Sequence, residues 1–254
     1  MKNNIAILST TNEPYIQFTE KCLSSFNKFH PEIPFYLFCV NISDEKIGYL
    51  KSLHSNVHTI RHSQDFEKQS QEAVFCSTIR FNLLSDMLSG LKKNVMWFDA
   101  DIEINQEIDE FFNILTDYDF AARIKSIGSK ELDSNWQYPE NVVELSSYPV
   151  GYLRSNAAMI WCRYSQKNIN IIREEVIPEV ERIGRFTWMS EQNALNKMLH
   201  NHIHVKEDID FLDIPKKFNG LADCDAITHV KGPKKCYFSE SELNEMESRG
   251  FASK

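Results

Sequence analysis

Residues 94–104 read NVMWFDADIEI. Val95, Met96, Trp97 and Phe98 form a continuous apolar run, as in a strand covered on both faces. The run ends on Asp99 and Asp101. In extended chain, residues i and i+2 point to the same side. Two carboxylates about 4 Å apart repel by roughly 4 kcal/mol at an effective dielectric of about 20. A divalent cation removes that cost by taking both oxygens as hard ligands. A helix cap at one aspartate and a solvated second one explain the pair as well, so the rest of the chain has to decide.

Upstream, Ile5–Leu8 is an apolar run predicted as a first strand, and it opens into the polar turn STTNEPY at residues 9–15. Tyr15, Phe18, Cys22, Phe26 and Phe29 recur at helical spacing and predict a helix over 15–29, stopped by Pro31 and Pro34. Phe35–Val40 is a second predicted strand. Strand, helix and strand in this order make a βαβ unit and imply a parallel sheet. Residues 43–72 are polar and weakly patterned, and no element is predicted there. Ile79, Leu83 and Met87 mark a helix that ends near Gly90, just before the strand at 95–98.

Downstream, residues 125–150 read as a long loop. Ala157–Trp161 is a buried strand. Ile169, Ile172, Val176, Val180 and Ile183 form a helical core stripe that Pro178 is expected to kink. Ser190 is placed as the cap of a helix reaching Leu199. Ser239 and Glu242 form a capping-box pattern for a last helix before Gly250. The expected class is a single α/β domain with a mostly parallel, Rossmann-like sheet flanked by helices.

Composition agrees. The chain has 254 residues, 42% hydrophobic and 12% aromatic, which supports a sizeable core in one large domain. The formal net charge of −8 argues against a general nucleic-acid binder or a basic membrane-surface protein. Six cysteines stand singly, without CxxC or zinc-type spacing, and are read as buried free thiols of a reducing compartment. The opening MKNNIAILSTTNEPY lacks a signal-peptide core, and no apolar run is long enough for a bilayer. A cytoplasmic location is therefore expected. Neither a GxxxxGK[ST] loop nor a GxGxxG fingerprint occurs, which sets aside P-loop and dinucleotide enzymes.

The tail bears on the aspartates. THVKGPKKCYF, residues 228–238, supplies His229, Gly232, Lys234 and Lys235. Histidine is a third candidate metal ligand, glycine lets backbone approach an anion, and lysine neutralises phosphate. A cation pair at one strand end and a phosphate-type loop elsewhere suggest a metal diphosphate. Other candidates are plainer. His54, His58 and His62 are read as a solvated face, and His200, His202 and His204 as non-ligands. Asp223 and Asp225 are read as a turn.

These motifs together resemble glycosyltransferase family 8, the glycogenin and lipopolysaccharide-galactosyltransferase group, which has the GT-A fold. STTNEPY is similar to the family's nucleotide loop. Arg80, in STIRFNLL, matches a basic residue in the helix before the metal motif. FDADIEI resembles the family's DxD motif, and SNAAMI (155–160) its Asn-Ser/Ala-Gly stretch. EQNALN (191–196) resembles DQxxLN, LDIPKKFN (212–219) resembles Leu-Pro-x-x-Tyr/Trp-Asn, and HVKGPKK fits HxxGxxK.

The resemblance implies a metal-dependent transfer of a hexose from a UDP-sugar to a carbohydrate or glycoconjugate acceptor, with retained anomeric configuration. It implies Asp99, Asp101 and His229 as ligands of Mn²⁺ (or Mg²⁺). Thr10, Thr11, Asn12, Tyr15 and Ala100 would lie on the nucleotide side, Tyr15 stacking on the base. Gly232 and Lys235 would hold the diphosphate, and Arg80 the diphosphate or donor sugar. Asn156, Glu191 and Gln192 would line the sugar. Glu191 is open as a nucleophile or as a bystander to front-side transfer. Residues 1–105 would form the nucleotide half and 106–254 the donor-sugar and acceptor half. No nucleic-acid partner is expected, and a homo-oligomer is left open. Two alternatives stand beside this: an inverting GT-A transferase and a nucleotide-sugar-binding protein without turnover. Glu191 replaces the family's aspartate, and Ala158 its usual glycine, which is expected to crowd the sugar. The loop aromatics Trp136, Tyr138, Tyr148 and Tyr152 are candidate acceptor contacts.

Overall fold

The computed structural model describes residues 4–126, 153–185, 190–215, 218 and 226–229. The first strand, β1 (Ile5–Thr11), is buried throughout and runs three residues past its apolar stretch, into the STT of the turn. Pro14 lies in the single 3-10 turn that follows (Glu13–Tyr15), and helix α1 (Ile16–Phe29) continues from it. Its buried residues Thr19, Cys22, Leu23 and Phe26 lie three or four apart, which places them on one face. Strand β2 (Phe35–Val40) then pairs parallel with β1, Ile7 opposite Phe35.

The polar stretch at 43–72 is structured. It holds α2 (Asp44–Ser52), β3 (Val57–His62) and the start of α3 (Gln69–Thr78). Ser43 caps α2 by accepting from the Lys46 amide. Only Ile47 and Leu50 of α2 are buried, so its apolar stripe is too thin to read as a period. Strand β3 is an edge strand with no fully buried residue. The expected solvated histidine face holds for the exposed His58 and is corrected for His54. His54 is 2% exposed and stacks on Phe26 with centroids 5.7 Å apart. His58 and His62 lie flat on Tyr36 and Phe75, at 4.8 and 5.0 Å. Aromatic neighbours on β2, α1 and α3 provide ring surfaces that a periodicity count does not see.

Helix α4 (Arg80–Leu91) ends on Lys92, which takes the left-handed conformation at φ 53° and closes the last turn. Strand β4 (Asn94–Phe98) enters the sheet beside β1. A short β5 (Ile102–Ile104), helix α5 (Asp109–Leu115) and β6 (Phe120–Ser126) follow. Strand β7 (Leu153–Cys162) is longer than its apolar run. The predicted stripe over 169–183 divides into α6 (Gln166–Ile171), a π-helical turn (Ile172–Val176) and α7 (Ile177–Ile183). Pro178 sits in the first turn of α7, directly after the π-helical turn, where the helical stretch departs from α geometry. Helix α8 (Ser190–His200) continues into a second π-helical turn, Asn201–Val205, and β8 (Phe211–Asp213) and β9 (Ile227–His229) complete the described elements. His202 lies in that second π turn, between Glu175 (3.1 Å) and Asp208 (2.7 Å).

Seven strands form the central sheet in the order β3-β2-β1-β4-β7-β6-β8. The β1–β2, β1–β4, β2–β3 and β6–β8 pairs are parallel, and β7 runs antiparallel to both neighbours. Strands β5 and β9 make a separate antiparallel pair. Alternation along β4 serves two cores. Met96 and Phe98 join a cluster with α1, α5 and Trp161, whereas Val95 and Trp97 join one with α4, α7 and α8. Each fully buried aromatic contributes about 2–3 kcal/mol by area. Among the described residues no helix is long and apolar enough to cross a membrane. Cys22, Cys39, Cys76 and Cys162 are buried free thiols. The expected last helix at 239–250, most of the 125–150 loop with its aromatics, and Asp223 and Asp225 lie outside the described residues.

The buried His54 has a stability consequence. Burial lowers its folded pKa from 6.5 to about 4. Between those values the unfolded chain binds the extra proton, so stability falls as pH drops through this window. The loss approaches about 3 kcal/mol. Thermal melts from pH 7 to 4 are expected to show this slope in the wild type and a flatter one in His54→Gln.

Candidate functional site

Strand β4 ends at Phe98, and the next three residues turn. The Ile102 amide donates to the Asp99 carbonyl at 3.2 Å. The two aspartates are therefore brought to one side by a turn, not by the extended chain expected from their spacing. Strand β9 pairs with β5 so that Ile102 faces His229. That register carries a residue more than a hundred positions away to the carboxylates. One donor atom each from Asp99, Asp101 and His229 lies within 4.8 Å of the others. His229 Nε2 is 3.2 Å from Asp101 Oδ1. Asp101 and His229 are buried and Asp99 is half-buried.

The donor set suits a divalent cation. Two hard carboxylate oxygens and one imidazole nitrogen match Mn²⁺ better than Ca²⁺, and Mg²⁺ less well because of the nitrogen. Cys22 lies close enough for the negative charges of Asp101 and Asp99 to add to burial in raising its thiol pKa.

A cleft of about 410 Å³, including space open to solvent, lies against this group. Its walls include Thr10, Thr11, Asn12, Tyr15, Arg80, Asp99, Ala100 and Asp101, with Ala73, Cys76 and Ser77. The nucleotide-side residues expected from sequence thus converge with two of the three expected metal ligands. The cleft opens beyond the carboxyl ends of β1 and β4, where ligands bind in open α/β sheets. The Thr10 hydroxyl donates to the Cys76 carbonyl (2.9 Å), and Thr11 accepts from the Thr19 hydroxyl (2.6 Å). These bonds tie the turn to α3 and α1. Asn12 donates to Glu72 (2.9 Å), whose other oxygen accepts from Asn41 (2.7 Å). Glu72 was not singled out by sequence reasoning, because it lies in the weakly patterned stretch and joins no motif.

Arg80 is 3% exposed. Its Nε donates to the Ser77 carbonyl at 2.8 Å and its Nη1 to the Ala157 carbonyl. Nη2 lies 3.4 Å from Asp99 Oδ1 and 3.8 Å from Glu191 Oε1. Glu191, in the first turn of α8, is 5% exposed. Burial raises its carboxyl pKa, and Arg80 opposes part of that rise. Glu191 stands beside Arg80 and is not part of the cleft wall.

The SNAAMI stretch owes its shape to a register shift. Strand β6 pairs Ala122 with Ile160 but Arg123 with Asn156, so residues 157–159 bulge from the β6 ladder. Backbone groups of this stretch find partners at the site. Ala157 offers its carbonyl to Arg80, and Ala158 offers its own to the Asp99 amide at 2.8 Å. The Ala158 amide donates to Asn156 Oδ1 at 2.9 Å. Ala158 is 2% exposed and packs in the α1-side core, away from the cleft wall. Asn196 also went unassigned within EQNALN. Its Oδ1 accepts from both the amide and the hydroxyl of Ser155, at 2.6 and 2.7 Å, and clips α8 to β7. Asn156 and Gln192 are half-buried and do not line the cleft. Gly232 and Lys235 lie outside the described residues.

No protein-family model and no curated protein matches the sequence. Solved structures do match by shape. A galactosyltransferase, LgtC, in complex with donor and acceptor sugar analogues, superposes with a TM-score of 0.58 at 15% identity. The alignment covers 98% of this chain and 96% of that one. An active-site mutant of the same enzyme matches at 0.58 and 14%, with the same coverage. Mouse xyloside xylosyltransferase 1, in its apo form, matches at 0.51 and 12%, covering 89% of this chain and 97% of that chain. The chain therefore has the mixed α/β, GT-A fold of these proteins over nearly its whole length.

Removing the buried cation side chain should be costly. Arg80→Gln leaves Asp99 and Glu191 without their guanidinium partner and is expected to destabilise by about 3 kcal/mol. The urea midpoint reads this directly, and an unchanged midpoint would show that the pairing carries no net stability.

Proposed function

We propose that this chain is a metal-dependent glycosyltransferase related to glycosyltransferase family 8. In this reading it transfers a hexose from a UDP-sugar to a carbohydrate or glycoconjugate acceptor with retention of configuration. The observation that carries it is the meeting of Asp99, Asp101 and His229 at the wall of a cleft built from the STTNEPY turn. Two distant segments converge on one cation-type site, and a cleft open to solvent lies beside it.

Each residue then has a task. Thr10, Thr11, Asn12 and Tyr15 hold the nucleoside, Tyr15 by stacking on the base. Asp99, Asp101 and His229 would hold Mn²⁺ (or Mg²⁺), which supplies Lewis-acid stabilisation of the departing diphosphate. Arg80 adds a fixed positive charge beside the same leaving group. Gly232 and Lys235 complete the diphosphate contacts in this proposal, and Ala100 lies beside the nucleotide. Asn156 and Gln192 face the donor sugar. The division into a nucleotide half (1–105) and a sugar and acceptor half (106–254) belongs to the same proposal.

The placement of Glu191 supports front-side transfer over attack by a carboxylate nucleophile. It stands beside Arg80 and off the cleft wall. In this role Glu191 orients Arg80 and makes no bond to the sugar. The buried free thiols support a cytoplasmic location.

Two experiments test the proposal. Calorimetry is expected to detect UDP binding that requires Mn²⁺, and Asp101→Asn is expected to lose it while the fold, read by circular dichroism, is kept. UDP affinity unchanged in Asp101→Asn contradicts the ligand assignment. Turnover of UDP-hexoses with NMR of the product anomer then tests retention. An inverted product favours the inverting alternative, and UDP binding without any turnover favours a binding protein.

A further inference from the structure

We propose that Trp97 is a positioning residue whose indole N–H, together with Arg80, fixes Asp99 Oδ1 and turns Oδ2 toward the cation. The inference rests on the reading of Asp99 as a cation ligand.

The geometry is specific. Trp97 and Asp99 are two residues apart at the end of β4, and Trp97 Nε1 donates to Asp99 Oδ1 at 2.8 Å. Arg80 Nη2 approaches the same oxygen at 3.4 Å. The Arg80 guanidinium carbon also lies 5.0 Å from the centroid of the Trp97 ring. Three groups thus fix one another, and two of them take the same oxygen. Among the described residues, Asp99 Oδ2 has no hydrogen-bond partner.

Packing alone does not require this arrangement. Trp97 is 1% exposed and fills the core shared with α4, α7 and α8. A phenylalanine would fill much of that space without a polar atom to satisfy. A buried indole N–H needs an acceptor, and here the acceptor is a carboxylate at the cation-type site. A carboxylate with one oxygen engaged by an indole N–H and a guanidinium charge is set to bind a cation through the other. Groups that orient a ligating carboxylate typically change metal affinity by about 10–100-fold when removed.

The test compares wild type with Trp97→Phe. Mn²⁺ is titrated at saturating UDP and free Mn²⁺ is followed by electron paramagnetic resonance. The variant is expected to bind Mn²⁺ about 10-fold more weakly. Equal affinity in the two proteins overturns the proposal. Should the variant fail to fold, the wild-type protein supplies a second reading. Its Trp97 indole N–H resonance, observed by nitrogen-15 NMR, is expected to stay hydrogen-bonded and slow to exchange when Mg²⁺ and UDP are added. Its collapse to the position and exchange rate of a free indole would mean that Asp99 turns away from Trp97 on loading, which overturns the proposal. Failure of the wild-type protein to bind Mn²⁺ at all overturns the reading of the triad, and this inference with it.

Discussion

A guanidinium taken out of water has to meet acceptors on its donors and a counter-charge nearby, or the fold does not tolerate it. Arg80 is that group here. Its partners come from separate parts of the chain: the end of α3 through the Ser77 carbonyl, the bulge in β7 through Ala157, the end of β4 through Asp99, and the start of α8 through Glu191. Trp97 closes the arrangement from below with its ring face. The site is thus the place where four elements are fastened by one buried cation.

The same charges bear on the cation proposed for the triad. Asp99 and Glu191 share Arg80, while Asp101 sits beyond that guanidinium and next to His229. Negative charge is therefore in excess on the cleft side of the cluster. A divalent ion at the triad lowers the mutual repulsion of the aspartates and gives a bound diphosphate a positive face. Burial meanwhile raises the Glu191 pKa, and the carboxyl has in Arg80 its compensating partner. These features support reading Arg80 and the triad as one electrostatic unit aimed at a phosphate leaving group.

Much of this was legible in the sequence, and the rest was hidden for physical reasons. The buried strands β1, β2 and β4 announce themselves because both faces are covered and each carries a continuous apolar run. Strand β3 does not, because an edge strand is half-buried and carries His58 and Arg61 among its apolar residues. Helix α2 buries two side chains, too few for a stripe. The aspartates and His229 were visible as residue types, but the turn at 99–101 and the β5–β9 register that join them are tertiary facts. The bulge at residues 157–159 is likewise silent in SNAAMI, although it explains why Ala158 faces the core. Glu72, Trp97 and Asn196 act through partners far away or through a single polar atom, and no spacing rule finds them.

The central claim is that one cation is held by this chain's carboxylates and imidazole and, at the same time, by a nucleoside diphosphate. Pulsed electron paramagnetic resonance of Mn²⁺ with UDP and the wild-type protein tests it most directly. The account predicts nitrogen-14 coupling from His229 and phosphorus-31 coupling from UDP on the same Mn²⁺, with the nitrogen coupling lost in His229→Gln. Phosphorus coupling without nitrogen coupling in the wild-type protein would contradict it, because the ion would then be bound to the nucleotide and not to the triad.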